Sequence, residues 1–128
     1  MARGRRENCA VTHLGIDHWH TRIEACLLHE ELLLAVGAYL DEWRPEDINR
    51  LPIRLTAPIR SIEDLHHRAI EFIHAGTNFQ GSNADWALLG ELTIVITAAA
   101  VRARSIDVAS MQARSLEDGL HGARFSAR

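Results

Sequence analysis

From Leu88 onward an apolar residue recurs every third or fourth position: Leu88, Leu92, Val95, Ala99, Ile106, Ala109, Ala113, Leu116 and Leu120, with Arg102 as the one polar member of the series. This is the spacing of a helical seam. No proline or glycine breaks it between Glu91 and Asp118, so it predicts a helix of ~38 residues, about 57 Å at ~1.5 Å per residue. That is longer than a compact domain of this size encloses, and part of the helix is expected to project. Its first half is apolar almost all round, the pattern of a helix covered by others, and after Arg102 it narrows to a single stripe. Gly90, Thr93, Thr97 and Ala100 give a small face suited to close helix contact. Ser82-Asn83-Ala84-Asp85 has the form of a capping box at the start, and Gly119 and Gly122 are expected to end the pattern.

Upstream, Ile16 to Trp43 reads as one long helix or two collinear ones, stopped by Pro45. Ile16, Trp19, Ile23, Cys26 and Leu27 share one side of it, whereas Leu33, Val36, Leu40 and Trp43 lie on the other. Such a helix must bury two faces at different heights or bend near His29–Leu32. Pro45–Arg50 suits one short helix, and Leu51–Pro58, with two prolines, suits an extended crossing segment. Ser61-Ile62-Glu63-Asp64 caps a further helix over Ile62–Ala75, with Gly76 as its stop. Its apolar face is Ile62, Leu65, Ala69, Phe72 and Ile73, opposite Glu63, His67, Glu71 and His74.

The fold class these elements predict is all-α, a small helical bundle of three to four main helices with a long C-terminal helix. Residues 1–12 read as a flexible arm, 13–121 as a single helical domain, and 122–128 as a flexible polar tail.

Composition narrows the functional classes. The 128 residues carry 14 arginines and no lysine against 17 acids, for a net charge of −3; this mild acidity does not supply the basic surface that phosphate neutralisation along a DNA duplex needs. The basic start at Met1–Arg6 leads into polar residues rather than an apolar signal core, which makes a cytoplasmic location the expectation. The most apolar window, Leu88–Val101, is shorter than the ~20 residues of a spanning helix, so no membrane span is expected. Cys9 and Cys26 have no zinc-ligand spacing, and Cys26 falls on an amphipathic run as a small core residue.

Histidine carries the candidate chemistry. His20 with Glu24, and His67 with Glu71, are both His-x-x-Ile-Glu. Residues four apart share a helix face, so two such pairs meeting across a bundle would offer two imidazoles and two carboxylates to a divalent transition metal. Chance alone gives roughly 0.6 such pairs in a chain of this composition, so two solvated helix faces account for them adequately, ahead of the metal reading. Glu30 and Glu91 lie among apolar neighbours; each is either paired, with Arg102 as a candidate partner, or set at the edge of its stripe. Arg114 and His121, Arg60 and His66, and Arg22 and His29 have spacings that resemble the Arg/His motif of HEPN-type ribonucleases, without its following polar residue. That resemblance would imply an RNA-cleaving helical protein. The paired acids of the all-α nucleotide pyrophosphohydrolases are missing: Leu33, Leu34 and Ile94 stand where the second acids should be. The sequence therefore points first to a non-enzymatic helical interaction protein that homo-oligomerises or docks a protein partner along the Leu88–Leu120 seam. A metal-binding His/carboxylate bundle comes second, and RNA cleavage third.

Overall fold

The computed structural model describes residues 15–126 apart from 50, 52–54 and 56, with the side chains of 45, 48 and 120–126 also outside the description. The protein is all-α, and helices α1 (Ile16–Glu24), α2 (His29–Asp41), α3 (Pro45–Ile48), α4 (Ile62–Asn78) and α5 (Asn83–Ser126) follow one another along the chain. The expected arm at 1–12 lies outside the described residues, as does much of the 51–58 crossing; within that crossing Leu51 and Leu55 are buried in the core.

α5 is 44 residues long, or about 66 Å. Its start is fixed as the sequence predicts: Ser82 Oγ accepts from Asp85 N–H at 3.2 Å while Asp85 Oδ2 accepts from Ser82 N–H at 3.3 Å, the reciprocal pair of a capping box. Its end is not. Helix continues through Gly119 and Gly122 to Ser126, so the glycines do not stop it and residues 122–126 are helical. A helical glycine costs only about 1 kcal/mol relative to alanine, too little to end a helix by itself. Gly76 likewise lies inside α4, which extends to Asn78. The other end of α4 follows expectation, with Ser61 Oγ accepting from Asp64 N–H at 3.0 Å.

The Ile16–Trp43 stretch is two helices, broken over residues 25–28. Leu28 is extended, and Glu31 Oε1 accepts from Leu28 N–H at 3.1 Å and from Leu27 N–H at 2.9 Å. Those bonds satisfy the first free donors of α2, and the break resets the helical phase. The buried face of α2 is consequently Leu32, Ala35, Val36 and Tyr39, rather than Leu33, Val36, Leu40 and Trp43. Leu27, expected beside Cys26, points to solvent at 72% exposure.

The helices α1, α2 and α4 all pack on the N-terminal part of α5. Side-chain contacts set their directions: Cys26 meets Arg102, His29 meets Asp107 and Tyr39 meets Glu91, so α2 runs antiparallel to α5. α4 runs antiparallel as well, joined to it through residues 79–82 with Phe79 edge-on to Trp86. The core comprises Trp19 and Ile23 of α1, Leu32, Val36 and Tyr39 of α2, Leu65 and Phe72 of α4, and Leu89, Leu92, Val95, Ile96 and Ala99 of α5. Burying side chains of this size contributes about 1.5–3 kcal/mol each.

Arg68 is the one charged residue among the described buried set, at 4% exposure. Its Nη1 donates to Leu55 O at 3.3 Å and to Ala57 O, with Glu71 Oε1 3.5 Å from its Nε. A guanidinium with several fixed donors suits this place, where the Leu55 carbonyl, in a helical rather than extended residue, and the Ala57 carbonyl are satisfied inside the fold.

Two expectations about α5 change. The stretch 83–119 is long and apolar enough to cross a membrane, with a mean hydropathy of 1.6 over 18 residues, so length does not exclude a span; in the fold its apolar residues supply much of the core. Nor is its first half covered all round. Three helices pack on one side, and Gly90, Ile94 and Val101 on the opposite side are exposed.

Candidate functional site

The predicted seam divides into two parts. Leu88, Leu92, Val95, Ala99 and Ile106 are buried by the rest of the chain and are core residues. Ala109, Ala113 and Leu116 are exposed, Leu116 at 71%, and the Leu120 side chain lies outside the description. Every residue from Val108 to Gly119 is exposed, roughly 18 Å of helix, and the helix goes on to Ser126. An interface along this seam is thus confined to its C-terminal part.

At the neck of the projection the chain grips α5 with polar groups. Arg102, the polar break in the seam, donates from Nε at 3.0 Å and Nη2 at 2.7 Å to the Cys26 carbonyl. That carbonyl lies past the end of α1, where no helical donor reaches it. Arg102 thereby ties the α1–α2 link to α5, and its expected carboxylate partnership gives way to this role. One turn on, His29 Nε2 lies 2.9 Å from Asp107 Oδ1, close but without the alignment of a hydrogen bond. Beside the neck, Leu27, Ile106, Ala109 and Ala113 line a shallow apolar groove.

A second polar constellation sits at the other end of α2. Trp19 Nε1 donates to Glu42 Oε1 at 3.0 Å, the Trp19 and Tyr39 rings meet edge-on with centroids 5.4 Å apart, and Tyr39 Oη donates to Glu91 Oε2 at 3.1 Å. Glu91 is therefore paired and half-buried, whereas Glu30 is exposed at the edge of its stripe. The Tyr39 hydroxyl is held well above the ordinary phenol range, first by burial and then by the Glu91 carboxylate, with a hydrogen bond to Trp43 acting the other way. A phenol held neutral in this way is a donor, and it fixes Glu91 against α2. The Cys26 thiol is also raised, by burial and then by Glu31, against the opposing pull of Arg22 and Arg102.

The proposed metal ligands are spread over separate surfaces. His20 and Glu24 are exposed on α1, His67 is exposed on α4, and Glu71 is half-buried beside Arg68. Among the described residues no group of three or more His, Cys, Asp or Glu is placed to hold a metal ion. Spacing on one helix could not reveal this, because α1 and α4 each pack on α5. Of the Arg/His spacings, Arg22 lies over the Trp19 ring and His29 sits beside Asp107. Arg60 is exposed and His66 half-buried, and Arg114 is exposed on the projection, with the His121 side chain outside the description. Arg68 and the Tyr39–Glu91 bond are the residues that sequence reasoning missed. The only signal for Arg68 was an arginine between Leu65, Ala69 and Phe72 on an otherwise apolar face.

Comparison with known proteins gives no family model, no curated protein and no solved structure that matches this chain.

Proposed function

We propose that this is a helical interaction protein, with α5 as its contact element and homo-oligomerisation or docking of a protein partner as its role. One observation carries the reading: every residue of α5 from Val108 to Gly119, roughly 18 Å of helix, is exposed, and Ala109, Ala113 and Leu116 lie on that length. An isolated helix of this length is marginal in water and gains its stability by packing an apolar face. A continuous helix cannot fold back on itself, and none of the described residues buries this length, which favours another chain as its cover. The test is solution mass by light scattering across the micromolar range, together with amide exchange over 108–126. A mass that rises with concentration, along with slowed exchange in that segment, is expected. A constant monomer whose 108–126 amides exchange as a bare helix would refute self-association.

A further inference from the structure

We draw no further inference here: the strongest candidate, the exposed apolar stripe of Ile94, Val101, Val108 and Met111 on the outer face of α5, carries nothing because nothing in the structure shows what covers it.

Discussion

Tyr39 is the chain's single tyrosine, and the chain has no lysine, which makes its alkaline behaviour unusually easy to observe. The phenol is buried and donates to Glu91 at 3.1 Å, and its pKa in the fold is raised above the ordinary 10.0. In the unfolded chain it ionises at about 10. Below that pH both states hold the proton, and the full stabilisation is present. Above it the unfolded state releases a proton that the native state keeps, so stability falls as pH rises, by up to about 1.4 kcal/mol per pH unit. Relative to wild type, Tyr39→Phe loses the hydroxyl bond to Glu91, about 1.5–3 kcal/mol at neutral pH for a bond to a charged acceptor. It also removes the alkaline penalty. That penalty reaches roughly 1.4 kcal/mol by about pH 11 and roughly 2.7 kcal/mol by about pH 12, so the denaturation free energies of the two proteins should converge between those values. Two assays check this: chemical denaturation at a series of pH values, and tyrosinate absorbance, which reports Tyr39 alone. Tyrosinate should appear together with unfolding. Its reversible appearance near pH 10 with native circular dichroism, or a constant gap between the two proteins from neutral to alkaline pH, would refute the reasoning.

Three further outcomes follow from the same structure. Arg68→Met, which leaves the Leu55 and Ala57 carbonyls without their donor, should cost about 2–4 kcal/mol in denaturant unfolding; a change within experimental error would remove Arg68 as the tie between α4 and the crossing. Ser82→Ala, which removes the acceptor for Asp85 N–H, should cost about 1 kcal/mol by the same measurement. His20→Ala and His67→Ala, at exposed positions, should each change stability by no more than about 0.5 kcal/mol. A thermal midpoint that rises with added zinc, manganese or iron in wild type and not in these variants would restore a metal role.

Local rules read from the chain specify much of the architecture. Capping residues at Ser61 and Ser82 and the heptad run from Leu88 fix helix starts and the existence of α5, because their physics acts within one turn. The glycines at 76, 119 and 122 misled for a related reason, since a small per-residue propensity cost is overridden by the helix around it.

Which side of each helix faces what was a tertiary decision. The four-residue link at 25–28 rotated the buried face of α2 because Glu31 and Arg102 satisfied its backbone, and Arg102 comes from 76 residues away. Tyr39 and Glu91 are likewise 52 residues apart, and the His20 and His67 pairs are also far apart in sequence. Periodicity shows that a residue shares a face with its neighbours four apart, and it is silent on what that face meets. The sequence alone therefore determined an all-α chain with a helix too long for its domain. Only the tertiary packing decided that Leu88, Leu92, Val95, Ala99 and Ile106 belong to the core, and that Ile94, Val101, Val108 and Met111 remain on the outside.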